Sequence, residues 1–444
     1  MRAPAPSQEE IRRQNLGALL RFVHERGQIS RAELTTELGL NRSTIGALTA
    51  ELAEAGLVTE EAPPSPGRAG RPSLMVRACS DSIYTYGVSI EVDQVRVARI
   101  GLGGVCLDRT TFPRPQDVVG GISSAVASFK VDAEARCIGL GVAISGMVRR
   151  EDGMVRLGPH IGWRDEPLGV LLQEQLPDMQ IAVGNVADIC ALAEHTRGVA
   201  VGCDNVIYVY GEVGVGAGII AGGHRVTGHG GYGGEVGHMV VNPSGARCEC
   251  GSRGCWETEI GEPTLLRLAE SKLTGQEGVL AVIDRAARGD HVAQAAIRHV
   301  GDWLGFGVAN LVNIFNPELV IFGGTLRDVY LASAAQVRGR LNRMCLPAVR
   351  EHVRLRTPAL GNDALLLGAA ELAFERLLAD PIDVATGNPS DAADTSPLLA
   401  ARVLSTVEPI GPSTDEGSED GFDDLDGEGA ATGRQVSSQP PAPA

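Results

Sequence analysis

His238, Cys248, Cys250 and Cys255 gather four potential metal ligands into one short stretch of this 444-residue chain. Three thiolates and one imidazole complete a closed tetrahedral donor set for structural Zn2+, and ligands this near in sequence can close a single knuckle. Gly245, Gly251 and Gly254 supply the tight turns that such a knuckle needs. His229 lies near enough to compete as the fourth ligand. Three unrelated cysteines on a surface loop are the bland alternative, and three in eight residues argue against it. The other six cysteines are scattered singly and read as small buried hydrophobes. An odd total of nine, with no export leader, speaks against a disulfide framework.

A second kind of chemistry is expected near the N-terminus. Asn41-Arg42-Ser43-Thr44 begins a helix that follows a tight turn at Gly39, the position from which side chains reach base edges in a major groove. Arg68 and Arg71 sit in a Gly- and Pro-rich loop suited to a narrow minor groove. A solvated arginine linker is the alternative for that loop. Two further stretches, Gly211 to Gly218 and Phe322-Gly323-Gly324-Thr325, each follow a strand. They have the composition of phosphate cradles, and equally of tight packing.

The elements that must position these residues are legible as patterns. Ser7 with Glu10, and Ser30 with Glu33, read as capping boxes opening two helices. Asn41 is expected to cap a third, with Ile45, Leu48 and Leu52 facing inward. Strands are expected at Leu57-Val58-Thr59 and around Leu74 to Val76, which completes a winged helix over residues 1–78. From Tyr84 short aliphatic strands alternate with helical stretches, the pattern of an α/β domain with a largely parallel sheet in two halves. That domain is expected over residues 79–376. Residues 377–444 fill with Asp, Glu, Gly, Ser, Thr and Pro and read as a disordered acidic tail.

Charge and composition narrow the function classes. Thirteen acids against two Arg from Asp380 onward hold −11 of the net −16. Residues 1–78 carry ten Arg against nine Glu, a thin footprint for nucleic acid. The case for DNA therefore rests on motif rather than charge. No apolar run approaches a membrane span, so the reading is cytoplasmic with no membrane partner.

Several segments together resemble the ROK family of repressors, open reading frames and sugar kinases. They are Gly234-Glu235-Val236-Gly237-His238, the run Cys248 to Glu257, Asn313 to Glu318 leading into Gly323-Gly324, and Leu367-Gly368-Ala369-Ala370. The resemblance implies a two-lobed actin-like ATPase domain, ribonuclease H-like in fold, behind the winged helix-turn-helix. It also implies a monosaccharide in the cleft, held by Asn185, Glu235, His238 and Glu257, with Gly146 contributing backbone. ROK kinases carry an Asn-Asp pair whose Asp is the general base. Here Asn185 is followed by Val186, and an isopropyl group accepts no proton. Asp188 lies about 200° round the helix and is expected to point away. The family's Asp-x-Gly-Gly-Thr phosphate loop is replaced by Ser89-Ile90-Glu91-Val92-Asp93.

The combined expectation is a DNA-binding transcriptional regulator with no catalytic residues, a repressor of carbohydrate-related genes. It would bind double-stranded operator DNA and a monosaccharide effector as a homodimer or homotetramer. The rival readings are an ATP-dependent sugar kinase with a regulatory head and a scaffold whose acidic tail recruits a partner.

Overall fold

In a computed structural model of the chain, the described residues are 7–62 and 73–386. Arg68, Arg71 and the segment from residue 387 onward lie outside them.

The head begins with helix Gln8–Arg26, opened by a reciprocal cap in which Glu10 N–H donates to Ser7 Oγ at 3.1 Å and Ser7 N–H to Glu10 at 2.7 Å. Ser30 and Glu33 repeat that exchange at helix Arg31–Leu38, and Asn41 opens helix Arg42–Glu54. Gly39, at φ 63°, supplies the left-handed residue that lets the second helix turn into the third. Strands Val58–Glu61 and Met75–Ala78 pair antiparallel, as the pattern predicted. A third strand that the sequence reading did not find, Gln28–Ser30, adds to the other edge of Met75–Ala78.

Two five-stranded sheets follow. The first runs in the order Gln180–Asn185, Arg136–Ile144, Ile83–Ile90, Gln94–Gly101, Val105–Pro113. The second runs His224–Arg225, Val215–Ala221, Val206–Gly211, Leu319–Gly324, Arg354–Arg356. Each has two parallel and two antiparallel pairings, so the expected largely parallel sheet is corrected to a mixed one. The antiparallel pairs join consecutive strands, and such neighbours need only a short turn, whereas parallel neighbours need a crossover.

Helices Val186–Arg197 and Ala364–Ala379 pack against each other between the two sheets. Ala364–Ala379 lies directly on strand backbone: a Cβ on Gly141 would fall 1.8 Å from Ala369 O. No other residue fits there.

The same helix finishes the head. Phe374, Leu377 and Leu378 are buried in one apolar cluster with Leu16, Leu19, Leu20, Val23 and Ile45, and Ala385 joins them from helix Pro381–Thr386. The tail boundary expected at residue 377 therefore falls inside a packed helix. Apolar positions continuing the face of Phe374 outweigh the acidic composition that follows. Among the described residues no helix is long and apolar enough to cross a membrane.

Candidate effector site and metal centre

The knuckle is built on a firm base. Trp256, fully buried, begins helix Trp256–Ile260 directly after Cys255 and donates its indole N–H to Trp303 O at 2.8 Å. Cys248 N–H donates to Ser252 O at 2.9 Å and Gly254 N–H to Ala246 O at 2.8 Å, which closes the loop on itself. Gly254 has φ 73°, and a Cβ there would meet Asn242 O at 1.6 Å.

The ligand atoms of His238, Cys248, Cys250 and Cys255 all lie within 4.8 Å of one another. Cys250 Sγ is 3.7 Å from Cys255 Sγ, and Cys248 Sγ is 3.6 Å from His238 Nδ1. Tetrahedral bonds of about 2.3 Å to sulfur and 2.0–2.1 Å to nitrogen imply edges of about 3.8 and 3.6 Å. The donor set and its spacing fit one metal ion. His229 is not part of this group.

His238 also resolves why one residue was expected in two roles. Its Nδ1 faces the thiolates, whereas Nε2 lies 4.0 Å from Glu235 Oε2. Glu257 is close on the first side, with Oε1 3.5 Å from His238 Nδ1 and 2.8 Å from Cys248 Sγ. Burial pushes the Glu235 carboxyl above its ordinary range, Glu257 adds to the rise, and His238 opposes it.

Asn185 and Gly146 form a second group. Asn185 Nδ2 donates to Gly146 O at 2.8 Å, and its Oδ1 accepts Ala187 N–H at 2.7 Å as the cap of helix Val186–Arg197. Among the described residues no hydrogen bond joins this pair to Glu235, His238 or Glu257. Strand Val215–Ala221 connects them instead: Ala217 N–H donates to Gly234 O at 2.8 Å, and a Cβ on Gly218 would meet Ala187 O at 2.3 Å. The stretch Gly211 to Gly218 spans a hairpin between strands Val206–Gly211 and Val215–Ala221, and Gly218 packs closely against helix Val186–Arg197. His160 went unnoticed in the sequence because it is a lone histidine on a short turn, yet it approaches Gly214 beside Glu257.

These features meet a family match. Residues 85–376 match the ROK family. The chain belongs to the ROK family. Residues 17–69 separately match the MarR family. A xylose repressor of Bacillus spizizenii is 27% identical over 378 residues, 83% of this chain and 97% of that protein. A glucokinase of Halalkalibacterium halodurans is 30% identical over 316 residues, 66% of this chain and 95% of that protein. The solved structure of a ROK family transcriptional regulator, described as a homologue of the E. coli MLC protein, superposes with TM-score 0.72 at 24% identity, covering 85% of this chain and all of that one. The ROK chain described here is a transcriptional regulator with a winged-helix head, as its motifs predicted.

Asp188 is enclosed at the start of helix Val186–Arg197. Residues Val186 to Ala191 are all buried, so this ROK helix has no solvent face at its start. Asp188 is 8% exposed. Burial pushes its pKa up to about 7; Arg225 and Arg150 oppose the rise and Glu235 adds to it. A carboxyl raised on folding costs stability as pH climbs from the unfolded pKa, about 4, to the folded one. Asp188→Asn should therefore flatten the fall in Tm between about pH 4 and pH 7. The same slope in variant and parent would show that Asp188 titrates normally.

At Glu91, Arg96 Nε donates to Oε1 at 2.6 Å and Gln94 to Oε2 at 2.7 Å. Burial raises the Glu212 carboxyl, and Glu91 and Glu262 add charge repulsion, against the hydrogen bond from Tyr210.

In the head, Asn41 Oδ1 accepts from Thr44 N–H at 2.9 Å, Ser43 Oγ at 2.6 Å and Thr44 Oγ1 at 3.0 Å. Those three side chains are occupied with the cap. Arg12 pairs with Glu51, Arg26 with Glu37 and Arg31 with Glu60. Exposed Arg42 has no such partner among the described residues.

Proposed function

We propose that this ROK regulator is a repressor that binds operator DNA through its head and releases it on binding a monosaccharide. The observation that carries this reading is coverage. The match to the xylose repressor spans 97% of that protein, head included, whereas the glucokinase match stops at 66% of this chain. Val186 at the general-base position supports the same reading. Asn185 and Gly146, with Glu235, His238 and Glu257, would contact the sugar. A structural zinc ion on His238, Cys248, Cys250 and Cys255 would hold His238 and the Glu257 segment in place.

Arg42 is the side chain best placed to read a base, with Asn41, Ser43 and Thr44 shaping the helix start. Arg68 and Arg71 would anchor the wing. Because residues 1–78 carry only one more Arg than Glu, two heads are needed, which implies a homodimer and an inverted-repeat operator. The test is fluorescence anisotropy of the full chain on a duplex that it selects from a random library, with D-xylose, D-glucose and N-acetyl-D-glucosamine added in turn. One sugar should weaken binding, and Glu235→Ala should abolish that response while sugar-free binding persists. Arg42→Ala should cost about 1–3 kcal/mol of sequence discrimination. A chain that selects no sequence, or ignores every sugar offered, would sink the proposal.

The kinase alternative makes an opposite prediction. Turnover with ATP on these sugars should fall far below the ordinary range of about 1–100 s⁻¹. Val186→Asp should not restore it, because Glu91 still stands where phosphate would be positioned. Kinase-like turnover in the unaltered chain would overturn this assignment.

A further inference from the structure

Helix Val186–Arg197 meets the candidate effector residues at one end and the head at the other. At its start it is capped by Asn185, which also holds Gly146. At its end Arg197 Nε donates to Glu371 Oε1 at 2.6 Å, and Nη1 donates to the carbonyls of His24 at 3.1 Å and Gly103 at 3.0 Å. His24 belongs to the first head helix and Glu371 to helix Ala364–Ala379. His24 Nε2 lies 2.8 Å from Glu371 Oε2 and 2.7 Å from Arg197 Nη2, while Nδ1 accepts Gly103 N–H at 2.9 Å.

The cluster is buried. The side chains of His24, Glu371 and Arg197 are 0%, 3% and 10% exposed. Burial alone would raise the Glu371 carboxyl, but His24 and Arg197 together hold it down at about 2. Apolar contact along the same seam tolerates small slips, since one methyl can replace another. Buried charges do not, because a displaced guanidinium leaves a carboxylate without a partner. Twelve helical residues span about 18 Å, so a displacement at Asn185 is delivered at Arg197 with the helix acting as a rod.

We propose that Arg197 is the contact through which the effector site governs the head. Sugar drawn against Asn185 shifts helix Val186–Arg197, Arg197 leaves the carbonyls of His24 and Gly103, and the first head helix loosens. This rests on the effector reading of Asn185. A cluster that merely fastened head to sensor would instead lower thermal stability when altered and leave the sugar response intact.

The experiment uses the full chain, the selected duplex and the same three sugars. Arg197→Lys keeps the charge but loses the forked donors. It should bind sugar within about threefold of the parent while the sugar-dependent change in operator affinity shrinks below about twofold. Glu371→Gln should behave likewise. Full retention of the response in both variants overturns the proposal. A second arm needs no sugar. Asn185→Ala, at the far end of the rod, should raise deuterium uptake across residues 16–26 by about twofold or more, and unchanged uptake overturns the proposal as well. If no sugar moves the parent's operator binding, the effector reading fails, and the exchange arm still decides the coupling.

Discussion

Full-length protein purified without chelator should carry one zinc ion per chain, and Cys250→Ser should carry almost none. Cys250 is the informative position because it is exposed, whereas Cys255 is fully buried. Serine at an exposed site costs no core packing, so any loss of stability reports the ion. Structural zinc in small peptides contributes on the order of 10–16 kcal/mol of apparent binding energy. Even a fraction of that, lost from a knuckle joined to the buried Trp256, should lower Tm by many degrees. The sugar response should vanish with it, since His238 is then free to turn away from Glu235. Elemental analysis and a melting curve before and after chelation decide the point. Protein that contains no metal, or melts identically without it, refutes the assignment.

Phe374→Ala should cost about 3–5 kcal/mol, the usual penalty for emptying a buried aromatic site. The residue is fully buried, and its ring lies 4.9 Å from that of His24. Because the cavity opens between sensor and head, operator affinity should fall together with stability. Truncation after Arg376 removes Leu377, Leu378 and Ala385 and should do the same. Urea unfolding with operator titration would measure both effects. A loss below about 1 kcal/mol for Phe374→Ala would mean that the two parts do not share a core in solution.

What the sequence revealed of the fold was governed by locality. Ser7 with Glu10 and Ser30 with Glu33 exchange hydrogen bonds across three residues, so the two capping boxes are written in adjacent letters. The four candidate metal ligands are nearly as local, and they converge in the structure. Strand Gln28–Ser30 was missed because its partner among the described residues lies far along the chain, at Met75 to Arg77. Strand direction was misread for a related reason. Buried aliphatic strands look alike whether their neighbour runs parallel or antiparallel, and the hairpins among Ile83–Ile90, Gln94–Gly101 and Val105–Pro113 carry no distinct composition. Leu377 and Leu378 were assigned to an acidic tail because window composition averages over the last turn of a helix.

The shared core of head and sensor has a consequence for synthesis. Leu16, Leu19, Leu20 and Val23 are made about 350 residues before Phe374, Leu377 and Leu378, with which they share one apolar cluster. Translation at about 5–20 residues per second separates the two by roughly 18–70 s. During that interval the nascent head exposes an apolar face that nothing local can cover. The apolar core of the head is therefore closed only when helix Ala364–Ala379, about 350 residues further on, has been made.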